Sequence, residues 1–400
     1  MKYISLTIVA FYFSILASFS QSLKRDTVPY EKRKLKFEQI DLVNSYYHQD
    51  GNNSAVTGGI GTERLTDFSN TFDLKLSNYD KKGRKNSYNF ELGVDTYTSA
   101  SSDKIDPLTI TSPSYSDVRV YPSLSWDITN ERKGSNVGFM VSSSTEFDYQ
   151  SFGGGINFSK SSKDKNTDFA FKLQAFLDTW KVILPVELRP DNFGGPGYQQ
   201  NDRAPRNSFS AAFSLSHVFT KTLQGLIMLE PSYQEGLLAT RYQRVYFSNG
   251  FSRAEYLPSQ RFKLPIGARL NYFLGDDIVL RSFFRYYTDN WNINSGTAEL
   301  ETSIKLTPFA SVSPFYRYYQ QTASKYFAGK YQHDFSQEFY SSDYDLSKFH
   351  SNYFGLGVRF APPAGVFGVH RLSMIEIRYG HYNRSNGLNS NIVSMNLRFK

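Results

Sequence analysis

A two-residue alternation of apolar and polar side chains recurs along this chain and constrains its fold more than any other feature. In the segment DVRVYPSLSWDIT, residues 117–129, the even positions are apolar and the odd positions are mostly polar or charged. Because successive side chains of a β-strand point to opposite faces, this segment has one oily face and one hydrated face. The oily face must therefore contact either a protein core or lipid.

Runs of the same kind predict about sixteen β-strands. In the first predicted hairpin, FDLKL at 72–76 and YNFELGV at 88–94 both alternate in this way. We expect strands near residues 36–46, 68–77, 88–95, 117–129, 137–149, 151–160, 167–180, 207–219, 223–234, 262–273, 278–290, 293–307, 310–321, 351–360, 371–383 and 389–400.

The predicted connections differ between the two ends of the strands. One end has short turns such as LGDD at 274–277, whereas the other has mostly long loops, the longest near 181–206, 235–261 and 322–350. An even strand number, chain ends at the short-turn end and one-sided loops are typical of outer-membrane barrels. A soluble β-sandwich would also alternate, but it would need a core for every apolar face. The sequence therefore predicts an all-β fold: a single antiparallel up-and-down transmembrane β-barrel of about sixteen strands with long extracellular loops.

The N-terminus predicts export. A lysine precedes an apolar run at 3–19, and two small serines suit a cleavage before Gln21. We expect a signal peptide at 1–20, a short periplasmic segment at 21–35 and the outer-membrane barrel at 36–400. A helical anchor is the alternative, but the run is at the short end for a helical span. The chain has no cysteine, so no disulfide is expected.

The net charge of +8 does not indicate nucleic-acid binding. Part of the surplus lies in the short turns DKKGRKN at 80–86, NERKGS at 130–135 and SSKDKN at 161–166, and no basic helix is predicted that could enter a groove. The chain ends IVSMNLRFK, which resembles the signal read by the outer-membrane insertion machinery, although Lys400 follows the usual final aromatic. We expect the outer-membrane lipid bilayer and this machinery as partners, and no nucleic acid.

Two residue types are informative near the predicted strand ends. Tryptophan at positions 126, 180 and 291 suits an aromatic girdle at the membrane interface. Proline lacks a backbone N–H, so we expect a bulge or a strand end at each proline that falls within a predicted strand. These prolines are Pro122, Pro231, Pro265 and Pro314.

Charged residues on the polar faces would line an aqueous lumen, for which a barrel of about sixteen strands leaves room. Three related motifs carry such residues: SFFRYYTDNW at 282–291, PFYRYYQQT at 314–322 and IEIRYGHY at 375–382. Each places an arginine inward, and an Arg–Glu–Arg ladder would serve either as a belt that clamps the wall or as a guide for solutes. The candidates for selectivity are Arg285, Arg317, Arg378, Glu299, Glu301, Tyr287 and Tyr319.

The segment HQDGNNSAVTGGIGTERL, residues 48–65, is a candidate plug or loop motif. Its glycines do not suit a regular strand and indicate a backbone packed closely inside the barrel or at its mouth. Alternating oxygen-bearing residues could bind Ca²⁺, but the full calcium-hand pattern is absent, so we expect no metal and no cofactor. The motif residues are Asp50, Asn52, Ser54, Thr57 and Glu63.

The sequence does not favour an enzyme. His217 points outward and Ser216 is its neighbour in a predicted strand, so the two face opposite sides and cannot act together. No metal-ligand spacing and no Gly-rich phosphate loop accompanies them. We therefore expect a protein without catalytic residues.

Six spaced stretches together resemble an uncharacterised bacterial family, a domain of unknown function regarded as an exported outer-membrane barrel. They are DGNNSAVTGGIGTE, DTYTSASSDKID, FRYYTDNW, FYRYYQQT, SSDYDLS and EIRYGHYNRSNGL. The resemblance runs from about residue 34 to the end of the chain. It implies an association with flavin-transferase and thioredoxin-like proteins, and hence a redox-linked envelope system. DGNNSAVT, which ends at Thr57, is loosely similar to a flavin-transferase target but lacks the Gly-Ala-Thr order.

Two functions remain open from the sequence. The first is a passive or gated pore for small solutes or ions, in which the inward arginines and acids set selectivity. The second is a barrel plugged by its N-terminal or long loops, which serves as a non-enzymatic scaffold for a partner in the envelope. The sequence gives neither the solute nor the oligomeric state.

Overall fold

The structure, a computed structural model, describes residues 34–98, 116–189 and 202–400. Within these residues the chain forms a closed antiparallel barrel of 16 strands, as the alternation predicts. The sheet closes because the first strand pairs with both the second and the last strand. The strands are β1 Lys36–Asp50, β2 Leu65–Tyr79, β3 Lys85–Thr98, β4 Ser116–Asn130, β5 Ser135–Thr145, β6 Tyr149–Ser161, β7 Thr167–Lys181, β8 Arg203–Thr220, β9 Leu223–Leu229 with Ser232–Gly236, β10 Gln260–Leu274, β11 Ile278–Asp289, β12 Asn294–Thr307, β13 Ala310–Gln321, β14 Phe349–Phe360, β15 Leu372–Arg384 and β16 Asn389–Phe399.

The four prolines predicted to mark bulges or strand ends lie where one hydrogen-bonding ladder is interrupted. Pro231 separates the two halves of β9, and Pro265 lies opposite that break on β10. Pro122 and Pro314 pair with one neighbouring strand and fall in a gap of the ladder on the other side. The missing N–H therefore faces a gap in the ladder, and the strand continues.

The outer face of the barrel is apolar, and its large side chains are exposed. Val141 is 61% exposed and Ile227 is 62% exposed, although both lie in the middle of long strands. Lipid is the solvent that accepts such a surface in a closed barrel. Other members of this face are Phe68, Phe90, Leu124, Phe152, Ile156, Leu177, Leu215, Ile266, Leu300, Leu356, Ile377 and Val393. The described part of the chain contains no helix of the length and apolarity needed to span a membrane.

Of the three tryptophans expected in an interfacial girdle, only one lies on the outer face of the barrel. Trp126 lies on the outer face beside Tyr88. Trp180 instead faces the inside of the barrel mouth, where it contacts Tyr149 and lies under the guanidinium of Arg206. Trp291 is 3% exposed and packs among loop residues. Both predictions failed because nearness to a strand end does not specify which face a residue occupies.

The connections are short at one end of the barrel and mostly long at the other. The described parts of the long loops pack on one another at the barrel mouth. We call this assembly the loop cap and define it as residues 51–64, 182–189, 237–259 and 322–348. It includes a short hairpin of Arg244–Tyr246 with Ser252–Ala254. The predicted signal peptide and the loop at 99–115 lie outside the described residues, and the signal peptide stays a prediction.

Candidate functional site

The inner face of the barrel is polar, and its charge differs between two sides. On β2–β7 the inward acids outnumber the inward cations, whereas on β10–β15 the cations outnumber the acids; we call these the acidic wall and the basic wall. The acidic wall carries Asp67, Asp73, Glu91, Asp95, Asp117, Asp127, Asp168 and Asp178 with Lys75, Lys85, Arg119 and Lys172. The basic wall carries Arg261, Lys263, Arg269, Arg281, Arg285, Lys305, Arg317, Arg359, Arg378 and Arg384 with Asp289, Glu299, Glu301 and Glu376.

A ladder of ion pairs crosses the basic wall in the middle of the barrel. Glu301 binds Arg281 at 2.7 Å and Arg378 at 2.6 Å, which makes an Arg–Glu–Arg unit. Arg317 binds Glu299 at 2.5 Å. The side chains of Arg281 and Arg317 are 48% and 46% exposed although they point into the barrel. Water therefore reaches the ladder.

Arg285 is not part of the ladder, in contrast to the expectation from its motif. It lies opposite Thr297 rather than a glutamate, and it forms no ion pair with any described residue. Its side chain lines a cavity of 340 Å³ together with Tyr319, Tyr353 and Arg317. A neighbouring cavity of 320 Å³ is lined by Arg285 and Tyr287 and reaches the cap. Arg285 thus offers an uncompensated cation among tyrosines.

The loop cap has an apolar core of its own. Val245 and Phe247 are fully buried, and Tyr340 from another loop packs edge-on against the Phe247 ring at 4.8 Å. A second cluster joins Leu238, Ala239 and Leu257 to Trp291. Packed apolar side chains of this kind make the cap an ordered unit rather than a set of solvated loops.

Arg244 joins the loops of the cap. Its Nη1 donates to the carbonyl of Val56 at 2.9 Å, its Nε binds the Glu187 carboxylate, and its own carbonyl accepts from Ser342 Oγ at 2.6 Å. The guanidinium is 9% exposed. The side chain thus contacts two other loops and the backbone carbonyl a third, which makes Arg244 a positioning residue for the cap.

The glycine pair of the motif at 48–65 allows close backbone packing in the cap. Gly58 and Gly59 have φ of 79° and 84°, values that favour glycine. A Cβ on Gly58 would lie 2.4 Å from the Tyr246 ring, and one on Gly59 would lie 2.7 Å from the Tyr344 ring. The motif packs its backbone against two other loops at the mouth, which is the arrangement its glycines indicate.

The five candidate residues of that motif do not form one site. Asp50 ends β1 and pairs with Arg64 at 3.1 Å, Asn52 lies beside Gly387, and the Thr57 hydroxyl bonds within its own turn. Ser54 is buried. Glu63 has one carboxylate oxygen that is buried without a hydrogen-bond partner among the described residues. Asp50, Asn52 and Ser54 have different surroundings, and the calcium arrangement considered for them from the sequence is not tested by these contacts.

A carboxylate lies fully inside the cap. Glu255 is 2% exposed, and its Oε2 accepts from the backbone N–H of Thr240 at 2.6 Å while its Oε1 accepts from the Ser341 hydroxyl. Burial, with the nearby Asp343 carboxylate, raises the pKa of Glu255 to about 8. Glu255 is therefore held largely in its protonated form at neutral pH.

Two other acids of the cap also have raised pKa values. Burial, with the nearby Asp345 carboxylate, raises the pKa of Glu63 to about 7 and that of Asp343 to about 6. Asp343 nevertheless accepts from the backbone N–H of Asp345 at 2.9 Å and caps a short 3₁₀ turn. Packing of the cap thus raises the pKa of three loop carboxylates and shifts each of them toward its neutral form.

Another acidic group lies at the mouth on the acidic wall. One carboxylate oxygen from each of Asp117, Glu146 and Asp148 lies within 4.8 Å of the others, a spacing that could hold a metal ion. Glu146 also contacts Arg119 at 3.5 Å and accepts from the Tyr97 hydroxyl. Burial raises the pKa of Glu146, whereas these two partners lower it. The Arg119 guanidinium and the Tyr97 hydroxyl therefore compensate part of the negative charge of this acidic group.

Several residues that organise the mouth were not candidates from the sequence. Arg244, Glu255 and Asp289 lie in or next to loops, where alternation gives no signal. The nearest signal is composition, because segments 242–256 and 326–344 are rich in tyrosine and phenylalanine, which is unusual for solvated loops. That bias indicates burial, but it does not identify the buried polar partners.

Comparisons with solved structures return outer-membrane barrels. They include Pseudomonas aeruginosa OpdK with vanillate at 8% identity and a TM-score of 0.44, covering 90% of this chain and 97% of that chain. A mutant of the ferric enterobactin receptor PfeA from the same organism matches at 10% identity and a TM-score of 0.46, covering 87% of this chain and 53% of that chain. A bacterial polysaccharide outer membrane secretin matches at 8% identity and a TM-score of 0.45, covering 90% of this chain and 98% of that chain. At such identities these likenesses carry no information about a substrate. Among curated proteins, none matches this chain significantly.

Comparison with protein families identifies the family of this chain. One family model, described as a protein of unknown function, matches residues 70–391, from β2 into β16. The matched region covers most of the barrel and three of the loops that build the cap. The chain is an outer-membrane β-barrel protein and belongs to the DUF3570 family.

Proposed function

We propose that this barrel is a channel for small polar solutes or ions, gated at its outer mouth by the loop cap. The observation that carries the proposal is the contrast in hydration along the lumen. Arg281 and Arg317 are about half exposed within the barrel, whereas Arg244 in the cap is 9% exposed. A water-filled lumen closed by a separately packed unit suits a gated pore.

The two charged walls suggest how such a pore would select solutes. Net negative charge on one side and net positive charge on the other create a field across the lumen, which acts on both ions and dipolar molecules. Arg285 supplies a cation on the basic wall that forms no ion pair within the part of the chain that the structure describes, with Tyr287 and Tyr319 beside it in the same cavity lining. In this proposal the ladder of Arg317, Arg378, Glu299 and Glu301 stiffens the wall, and Arg285 contacts the solute.

Single-channel conductance in planar lipid bilayers tests the proposal. Wild-type protein should give discrete ohmic steps with brief closures, and R244A should open more often or more widely because the loops lose their common partner. R253A is the matched comparison in the same short hairpin: Arg253 contacts the cap through the Phe335 ring, at 3.7 Å, and among the described residues donates no hydrogen bonds to two loops, so R253A should open the channel less than R244A. Heat-modifiable gel mobility verifies that each variant is a closed barrel. Absence of steps from both folded wild type and folded R244A would contradict a channel.

A plugged scaffold is the second candidate, and the surface of the cap favours it. Phe251, Tyr331 and Tyr256 are 65%, 53% and 46% exposed on an otherwise packed unit. Exposed aromatic residues on an ordered surface suit a protein partner, which the family resemblance would place in a redox-linked envelope system. Silence in bilayers, with binding of such a partner that F251A weakens, would favour the scaffold.

A further inference from the structure

The short-turn end of the barrel has a basic groove that the channel does not use. It lies between two successive turns, 131–134 and 162–166, and encloses 710 Å³. Its cations are Arg132, Lys133, Lys160, Lys163 and Lys165. In outer-membrane barrels the short turns face the periplasm, so the groove lies at the level of the inner-leaflet headgroups.

One side of the groove borders the lipid-facing surface of the barrel. Lys160 shares the outward face of β6 with Ile156 and Phe158, and it pairs across the sheet with Phe169 on β7. Phe169 is 41% exposed and lines the base of the groove. A ligand in this position would meet cations at its polar end and an aromatic ring at its apolar end.

The charges of the groove are not neutralised by neighbouring acids. None of its cations forms an ion pair within residues 34–98, 116–189 and 202–400; Lys160 Nζ instead donates to the carbonyl of Lys133. The carboxylate of Asp164, in the second turn, accepts from Ser162 and from Asn166, so it is occupied within its own turn. Glu131 and Asp168 also line the groove, and cations outnumber them.

Other short turns differ from this groove in charge. The turn at 275–277 carries Asp276 and Asp277, and the turn at 308–309 is Pro-Phe. The turn at 80–84 is also basic, but Asp80 there binds Arg84 at 2.7 Å. In the groove, five cations lie next to the exposed apolar surface of Phe169.

We propose that this groove binds the headgroup of an anionic phospholipid, with its phosphate among the lysines and the first part of an acyl chain against Phe169. Basic residues at a membrane surface attract anionic lipids, and basic pockets on membrane proteins bind such headgroups. The lysine stems can lie along apolar surface while their ammonium groups reach the phosphate. Lipid binding would fix the orientation of this arc of the barrel in the membrane.

Native mass spectrometry of the folded protein in detergent tests the proposal, with phosphatidylglycerol, zwitterionic phosphatidylcholine and inorganic phosphate as probes. Wild type should retain phosphatidylglycerol in preference to phosphatidylcholine, and K133Q/K163Q should need about tenfold more phosphatidylglycerol for the same occupancy. K81Q/K82Q is the matched control, because it removes the same charge from exposed residues of the neighbouring turn. It should bind like wild type.

Three results would overturn the proposal. Equal retention of both lipids by wild type would exclude a headgroup site, and an equal loss in K81Q/K82Q would show general surface attraction instead of a groove. Competition by inorganic phosphate at matched concentration, with no contribution from the acyl chain, would identify a phosphate site rather than a lipid site. Each outcome is independent of whether the barrel conducts.

Discussion

Two arginine–carboxylate ion pairs inside this barrel differ in their exposure to water. In the middle of the lumen, Arg281 and Glu301 are 48% and 13% exposed. Beneath the loop cap, Arg261 and Asp289 are 16% and 0% exposed, and Asp289 also accepts from Tyr287 and from two backbone N–H groups. The chemistry is alike, but the lumen pair remains hydrated and the pair beneath the cap does not.

The comparison separates charges that stabilise structure from charges that remain available to solutes. A buried carboxylate that loses its partners becomes costly, because water cannot replace them. A hydrated pair can separate at little cost, since water solvates both ions. Residues beneath and within the cap should therefore dominate stability and gating, whereas lumen residues should affect which ions pass.

The largest expected effect is on stability at the cap boundary. D289A removes the acceptor for Arg261, for Tyr287 and for the backbone of Trp291 and Ile293, and it should lower the free energy of unfolding by about 3–5 kcal/mol. Urea unfolding in lipid vesicles, followed by gel mobility, measures it. D276A removes an exposed turn carboxylate at the other end and should change little. Equal effects of both substitutions would contradict the comparison.

The next effect is a pH dependence of gating. The pKa values of Glu255, Glu63 and Asp343 are about 8, 7 and 6 in the packed cap, and each should return toward its ordinary value near 4 when the loops separate. The packed cap therefore holds more protons, so its stability is greatest at low pH and falls as pH rises from about 4 to about 8. We expect open probability to increase severalfold from about pH 5 to about pH 8.

E255Q supplies the control for this pH dependence. Glutamine keeps the shape of the side chain and imitates the neutral acid, so the variant should stay closed at higher pH and show a flatter profile. D50N, at an exposed ion pair with Arg64, should keep the wild-type profile. A rise of open probability toward low pH in the wild type would reverse the sign and contradict the role of these carboxylates.

A smaller effect is expected on selectivity. R285Q removes a cation of the basic wall that forms no ion pair among the described residues and lines the cavity beneath the cap, and it should lower the anion-to-cation permeability ratio by about twofold, measured as a reversal potential in a salt gradient. R285K retains the charge and should keep the ratio. An unchanged ratio in R285Q would reduce Arg285 to a wall residue without contact to solutes.

The smallest effect is expected at the hydrated ladder. R317A removes the partner of Glu299, but both side chains reach water, so the loss of stability should be about 1 kcal/mol or less. The same urea titration compares it directly with D289A. A loss as large as that of D289A would show that the lumen is as dry as the cap boundary.

Much of the barrel was predictable because its signal is local. Alternation over a strand specifies which residues face lipid and which face inward. The position along the strand, odd or even, is therefore enough to place four side chains inside the barrel: Arg285, Arg317, Tyr287 and Tyr319. Strand number and the one-sided loops also follow, because turns interrupt the alternation. Alternation does not show which residues of neighbouring strands lie opposite each other. For this reason Arg285 was expected in the ladder, whereas it lies opposite Thr297.

The cap could not be predicted in the same way. Its contacts join residues far apart in sequence, such as Arg244 with Val56 and Ser341 with Glu255. No periodic pattern marks them, since irregular loops have no fixed side-chain direction. Only the glycine pair at 58 and 59 indicated that a backbone must pack closely there.

By itself, the sequence determined that this chain forms an exported barrel with an oily outside and a charged inside, because two-residue periodicity acts on every strand separately. Only the tertiary structure decided that opposite sides of the lumen differ in charge, that Arg285 lies outside the ion-pair ladder, and that the described parts of the long loops form a packed cap whose buried acids have raised pKa values. These features depend on cross-strand register and on the distance from water, and neither quantity is a property of any single segment.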